Sequence, residues 1–422
     1  MHGHIYTLNL FNMKSKKLFI TAIIIFLTIH TFAQKDKYPS KEEDNYNKKS
    51  GYKYVPYKSL DTTFILCFKS DYYEIIETEM NYEPYSFNKC STPHSKYLKD
   101  YVDSIRLKLS RSGFFKQAQQ ELEREIGKIG DIDKRMILKY DKRDSIEAFI
   151  YESCKYENIF FGEPGIWIGY SENNGDDWSY YYTGIVQRQP IFVKHYSQRP
   201  LIKEKGKLEI DACFLRQLSE FSHPAPAPDY ECVKDGVYLT LDIEIIARDS
   251  DGDGLTDIIE DKFHTDKYNK DTNGNGIPDN IDPNPRMNYP RTEKSKIYEA
   301  LLDRNWETLD EKLKGHKLIF NEEPAIYVTD STETILIVTD DKDLMGISPQ
   351  NYRVIFMTTE EYMNRNGFKK QLNEMQISPL FKVDNMKDTY KMKERFNTGG
   401  SAFLIRKTKK GWIMEIISIW IS

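Results

Sequence analysis

Two acidic stretches of this chain place oxygen-bearing groups at offsets that suit a hard divalent cation. The first puts Asp249, Asp251, Asp253, Leu255, Asp257 and Glu260 at positions 1, 3, 5, 7, 9 and 12 of a twelve-residue loop, with Gly254 at position 6. The second begins 22 residues later and puts Asp271, Asn273, Asn275, Ile277, Asp279 and Asp282 at the same positions, with Gly276 at position 6. Calcium takes six to eight oxygens at about 2.3–2.6 Å; such a loop supplies them from side chains and from the backbone carbonyl at position 7, and a glycine permits the sharp turn. Ca2+ is the expected cofactor. The first loop offers five carboxylates, the last a long Glu; the second offers three, the last a shorter Asp, and two amides. Fewer charges weaken a calcium loop, so the first is expected to bind more tightly. Asp266, between the loops, is placed to complete one of the shells.

The flanking residues decide what kind of site this is. Val237 to Ala247 alternates apolar and polar residues, which predicts a strand running to Asp249. Only a short helical turn, Ile258 to Phe263, follows the first loop, and the second leads into prolines. A calcium sensor works by changing the angle between two helices that flank its loop, and no helix is expected to enter here. Asp-Ser-Asp-Gly-Asp-Gly-Leu-Thr-Asp at 249–257, Thr265-Asp266 and Asp-Thr-Asn-Gly-Asn-Gly-Ile-Pro-Asp at 271–279 instead resemble the EF-hand-like loops of the thrombospondin type 3 repeats common in exported bacterial proteins. The resemblance covers residues 249–282 and implies a structural calcium that rigidifies a region with little apolar core. Asn273 and Asn275 stand where Asp is usual and Lys267 where Pro is usual, which sets the second loop apart.

Other constellations carry less. There is no HExxH, GxSxG, phosphate-binding loop or dinucleotide fingerprint. No carboxylate pair is singled out by its spacing, and His94, His195 and His223 have no motif around them. Ser171 to Trp178 resembles the Asp-box hairpin of sialidase-type propellers, with Asn173 in place of Asp, and predicts a turn closed by Trp178; Asn173 and Asp176 are the alternative, a loose third cation site. Tyr180, Tyr181 and Tyr182 are either half core and half exposed strand or a recognition surface.

The elements that must hold these residues follow from patterning. Thr62 to Phe68 is expected as a buried strand, and 97–109 and 115–129 as helices. Gly165 to Tyr170 and Trp178 to Val186 should form a hairpin. Asp282 to Arg291, with three prolines, marks a boundary. Beyond it, 294–313 and 360–364 are predicted helical; 325–329, 334–339, 352–358 and a hairpin of 402–407 with 412–421 are predicted as strands. The expected fold class is α+β: two α+β regions, 59–248 and 292–422, joined by a calcium-bound double-loop module at 249–285.

Lys14, Lys16 and Lys17 precede an apolar run, Leu18 to Ile29, that ends near Ala33. That is the pattern of a cleaved secretory signal over residues 1–33, too short to span a membrane. The pattern begins at Met13, which leaves Met13 as an alternative start, and 34–58 reads as a polar linker. No transmembrane anchor is expected after cleavage, and the destination is the periplasm, the cell surface or the medium. Without residues 1–33 the charge is 57 basic against 65 acidic residues, −8, which argues against nucleic acid as a partner. All five cysteines lie after residue 33. Two disulfides are compatible with an oxidising compartment, with Cys213 and Cys232 the first candidate pair; small buried thiols are the other reading.

The sequence thus predicts an exported calcium-binding protein whose module clamps its neighbours rigidly, with a binding or structural role towards an extracellular or envelope ligand that the sequence does not identify. The alternative is a secreted, calcium-stabilised hydrolase with its site in 59–248. No catalytic motif supports an enzyme, and the question of activity stays open.

Overall fold

A computed structural model describes residues 40–43, 70–77, 128–153, 165–186, 190–194, 197, 199–217, 230–309, 315–329, 332–364, 373–396 and 399–421. The signal segment, most of the expected linker, the strand at 62–68, the helix at 97–109, residues 115–127 of the helix expected over 115–129, Cys67, Cys90, Cys154, His94, His195 and His223 lie outside the described residues; Lys128 and Ile129, the end of that expected helix, are strand. The chain divides into two compact units. One contains residues 53–306 and 318–377; the other contains 1–52, 307–317 and 378–422.

The larger unit opens with antiparallel sheets. Strand β1 (Tyr73–Glu77) is followed by a two-residue pair, β2 (Lys128–Ile129) and β3 (Ile132–Asp133), turned at Gly130 with φ 57°. A meander follows: β4 (Ile137–Arg143), β5 (Ile146–Ser153), β6 (Gly165–Ser171) and β7 (Ser179–Val186), each antiparallel to the next. β6 is buried at every residue. Phe149 of β5 crosses over Gly169 of β6, where the ring leaves no room for a Cβ. A second sheet comprises β8 (Ile191–Val193), β9 (Ile202–Glu204), β10 (Lys207–Gln217) and β11 (Tyr230–Asp242), with β1 on the outer edge of β11.

β11 stops at Asp242, whose side chain accepts a hydrogen bond from Glu244 N (2.9 Å) and caps a four-residue turn, α1 (Ile243–Ile246). The strand expected to run as far as Ala247 therefore ends five residues early. After the first acidic loop comes α2 (Asp257–Phe263), and after the prolines α3 (Glu293–Leu302). Strands β12 (Trp306–Thr308) and β13 (His316–Leu318) come next in the chain. β14 (Glu333–Val338) and β15 (Tyr352–Met357) then pair in parallel, linked through α4 (Lys342–Met345). The helix α5 (Thr359–Asn364) leads to β16 (Asn373–Ile377), which is also parallel to β14. Parallel pairing suits β14 and β15 because both are near-continuous apolar runs buried on both faces. One core extends from Phe149 and Leu239 in the sheets through Ile258, Ile259 and Phe263 of α2 to Leu336 and Ile355.

The smaller unit is built on β17 (Phe381–Lys382), β18 (Thr389–Phe396), β19 (Gly399–Thr408) and β20 (Gly411–Ile421), antiparallel throughout, with β13 against β20. Residues 40–43 belong here. Glu43 is buried between Lys391 and Lys393, at 2.6 Å from the latter, and Glu42 accepts from Lys382 N (2.9 Å).

The α+β expectation is overturned. Among the described residues strand makes up 46% and helix 14%, in several antiparallel sheets, so the fold they show is mostly β. The helix expected over 294–313 stops at Leu302 because Asp303 caps it, Arg304 turns to φ 56° and Trp306–Thr308 extends. Residues 325–329, expected as a strand, have no ladder; single bonds join Ala325 N to Ser348 O and Val328 N to Ile281 O. The parallel pairing of β14 with β15 and β16 was not expected either, since the periodicity of an apolar run does not name its partner.

Candidate metal centre

The two acidic loops are built on one hydrogen-bond skeleton repeated after 22 residues. Gly254 N donates to Asp249 (3.0 Å) and Gly276 N to Asp271 (2.7 Å). Asp253 N donates to Asp251 Oδ1 (3.0 Å), as Asn275 N does to Asn273 Oδ1 (2.9 Å). Leu255 N closes on Asp253 (2.7 Å), and Ile277 N on Asn275 (2.8 Å). The turns require Gly254 at φ 107° and Gly276 at φ 90°, backbone that residues with a Cβ rarely adopt.

At position 9, Asp257 accepts from Ser250 N (2.8 Å) and Ser250 Oγ (2.9 Å); Asp279 accepts from Thr272 N (3.1 Å) and Thr272 Oγ1 (2.6 Å). These carboxylates brace their own loops. The hydroxyl residues Ser250 and Thr272, not singled out as site residues from the sequence, were legible as a repeat at position 2 of both loops.

The first loop brings Asp249, Asp251 and Asp253 together, with one carboxylate oxygen from each lying within 4.8 Å of the others. Glu260, in the first turns of α2, is fully buried. Its Oε2 and the Oδ2 of Asp251 are buried and have no hydrogen-bond partner. Burial, then the charges of Asp251, Asp253, Asp279 and Asp257, push the Glu260 carboxyl from 4.5 up to about 8. Burial also raises Asp251 and Asp253. It carries Asp279 to about 7 against the lowering effect of its Thr272 hydrogen bonds. Buried carboxylates that repel one another and lack donors are the environment that a cation relieves. Lys270 Nζ donates to Gly252 O (2.9 Å) beside the loop.

The second loop closes differently. Its terminal acid, Asp282, is 1% exposed and accepts from Asn273 Nδ2 (3.0 Å), Asn275 Nδ2 (2.9 Å) and Asn284 N (2.7 Å). Asp271 and Ile277 keep their loop positions. Asp266 lies outside the Asp249, Asp251 and Asp253 group; it is exposed and its Oδ1 accepts from Tyr268 N (3.1 Å). The backbone carbonyls of Leu255 and Ile277 occupy position 7, and Leu255 packs its side chain into the core.

The module is tied to residues on both sides of it. Asn280 N reaches across to Asp253 Oδ2 (3.0 Å), which links the loops. Tyr72 donates to Asp261 of α2. Val354 N on β15 donates to Pro283 O (2.8 Å), and Asn284 Nδ2 holds the carbonyls of Met345 (2.8 Å) and Ile347 (3.0 Å). Arg353, fully buried on β15, donates to the carbonyls of Asn280 and Asp282 and lies 5.0 Å from the Phe263 ring centroid. Arg353 had no sequence signal beyond being a charge inside an apolar run.

Elsewhere in the larger unit, Tyr182 is buried and Tyr180 Oη accepts from Asp131 N (2.9 Å), so these tyrosines serve the sheet. Trp178 packs against Phe149 with the rings tilted and their centroids 4.9 Å apart, and Asn173 bonds Asp177 in the turn (2.8 Å). Cys213 and Cys232 are free thiols packed with Phe192 and Leu215. Among the described residues no helix is long and apolar enough to cross a membrane. No protein-family model, curated protein or solved structure matches the chain.

Proposed function

We propose that this is an exported calcium-binding protein in which the Asp249–Glu260 loop holds a structural Ca2+, and that its role at the cell envelope or outside the cell is binding or structural. Asp249, Asp251, Asp253 and Glu260 would hold the ion, with the Leu255 carbonyl completing the set. The observation that carries this reading is the pair of buried carboxylate oxygens, Asp251 Oδ2 and Glu260 Oε2, that have no donor in a loop where three aspartates already converge. Hard oxygen donors with no sulfur or nitrogen among them favour Ca2+ over zinc or copper. The resemblance of 249–282 to thrombospondin type 3 loops, and the signal-like segment ending near Ala33, add the compartment.

The ion's role follows from the module's neighbours. Residues 249–284 bond to Tyr72 on one side and to Met345, Ile347, Arg353 and Val354 on the other. The clamp therefore joins the antiparallel sheets to the parallel pair inside one compact unit. Ligand oxygens that would repel one another become cohesive when an ion neutralises them, so binding energy adds to folding energy.

The test is the thermal midpoint of the secreted chain in calcium and in chelator, for wild type and Asp251→Ala. Calcium should raise the wild-type midpoint and leave Asp251→Ala unmoved. A wild-type midpoint that is the same in both buffers refutes the reading.

A further inference from the structure

We propose that the two loops, alike in backbone, differ in chemistry: the Asp249–Glu260 loop is the module's cation site, and the Asp271–Asp282 loop closes without a cation because the Asn273 and Asn275 amides take its place. This rests on the calcium reading of the first loop and extends it to the stoichiometry of the pair.

Matched positions carry the argument. In the first loop positions 3, 5 and 12 are Asp251, Asp253 and Glu260, three acceptors that have nothing to donate to one another. Glu260 Oε2 is left buried without a partner. In the second loop the same positions are Asn273, Asn275 and Asp282. Both amides donate to one Asp282 oxygen, at 3.0 and 2.9 Å, and Asn284 N donates to the other at 2.7 Å. The acid that would face the ion is fully satisfied by the chain.

The amide orientations are fixed from outside the Asp282 contact. Asn273 Nδ2 also donates to Asn284 O (2.6 Å), and its Oδ1 accepts from Asn275 N (2.9 Å). Asn275 Oδ1 accepts from Ile277 N (2.8 Å). Turning Asn273 over to offer its oxygen to an ion would set Oδ1 against the Asn284 carbonyl and Nδ2 against the Asn275 N–H, breaking both bonds. Arg353 sits at the base of this loop, donating to the Asn280 and Asp282 carbonyls, and supplies a permanent positive charge beside it. The second loop is therefore a constitutive brace that orients Asn280, whose N–H bonds Asp253 of the metal loop (3.0 Å).

Calcium titration of the full secreted chain by calorimetry, after exhaustive chelation, tests this with the metal alone as probe. Wild type should bind one ion, and Asp271→Asn should bind one ion with affinity changed less than about threefold. The double variant Asn273→Asp, Asn275→Asp should bind two, falling back to one when Glu260→Gln is added. Two ions on wild type, falling to one in Asp271→Asn, overturn this inference and leave the first-loop reading standing; a single wild-type ion that is lost in Asp271→Asn overturns both. A double variant that stays at one ion overturns the role given to the amides. No binding by wild type refutes the calcium reading itself.

Discussion

Replacing Glu260 by Gln should stabilise the calcium-free protein while abolishing its response to calcium. Glu260 is fully buried, and its surroundings raise it from 4.5 to about 8. The sign follows from proton linkage. Between those two values the folded chain holds a proton on Glu260 that the unfolded chain has released, so stability falls as pH rises through this window and levels off above it. At about 1.4 kcal/mol per pH unit, the loss accumulated by about pH 7.5 is on the order of 4 kcal/mol. Asp279, raised from 3.8 to about 7, adds to the same trend. The two are not independent, because the Asp279 charge is among those that raise Glu260. Gln keeps the shape and has no proton to release. Its own buried amide costs about 1–2 kcal/mol, which leaves an expected gain of roughly 2–3 kcal/mol for calcium-free Glu260→Gln near pH 7.5.

Urea unfolding between about pH 5.5 and 8 measures this directly, in EDTA and in excess calcium. Calcium-free wild type should weaken across that range, the reverse of ordinary acid denaturation, and Glu260→Gln should show a much shallower slope. With calcium at about a hundred times its dissociation constant, wild type should gain about 2.7 kcal/mol and the variant nothing. Parallel pH slopes for wild type with and without calcium would refute the reasoning, because they would mean that the ion does not meet the buried carboxylates.

Three further outcomes are expected. Arg353→Met should cost about 3 kcal/mol in denaturant unfolding even with calcium present, since the carbonyls of Asn280 and Asp282 lose buried donors; a cost below about 1 kcal/mol would show that they find other partners. Contact with Cys232 and burial raise the Cys213 thiol, whereas the same contact lowers Cys232; mass spectrometry after brief alkylation near neutral pH should find Cys232 modified well before Cys213, and equal labelling would contradict the contact. Chelation should speed hydrogen exchange at Glu260 N and Thr265 N, which bond Thr256 O and Glu260 O around α2 (3.0 and 3.1 Å), but not along β18 to β20; uniform acceleration would mean that the ion acts elsewhere.

The repeated turn of the two loops was legible in the sequence because its chemistry is local: side-chain oxygens at positions 1, 3 and 5 accept the backbone N–H groups that follow them, and glycine at position 6 takes the positive φ. The braces at Ser250 and Thr272 were equally local and could have been read from the repeat. The orientation of Asp266 was not legible, because proximity in sequence does not orient a side chain; its Oδ1 accepts from the nearby Tyr268 N–H. The fold class was misjudged for a related reason. Helical periodicity over 294–313 continues past Leu302, but the chain does not, since the αL residue Arg304 and the β-prone Trp306 and Thr308 redirect it. The partners of Glu333–Val338 are tertiary facts that no local pattern contains.

That same non-locality alters what a calcium here can do. The resemblance to structural repeats implied a segment with little core, but α2 places Ile258, Ile259 and Phe263 in the main core while Glu260 on the same helix faces the aspartates. A seven-residue helix is too short to hold itself, so its position depends on both contacts together. The acids at its loop-facing side push it away from Asp251 and Asp253 unless they are protonated or bridged, while its apolar side is held by the sheets and by β14 and β15. The two demands are met at once only when the charge is neutralised. The sensitivity of the larger unit to calcium should therefore arise at this helix rather than in the second loop, whose acid already has its donors.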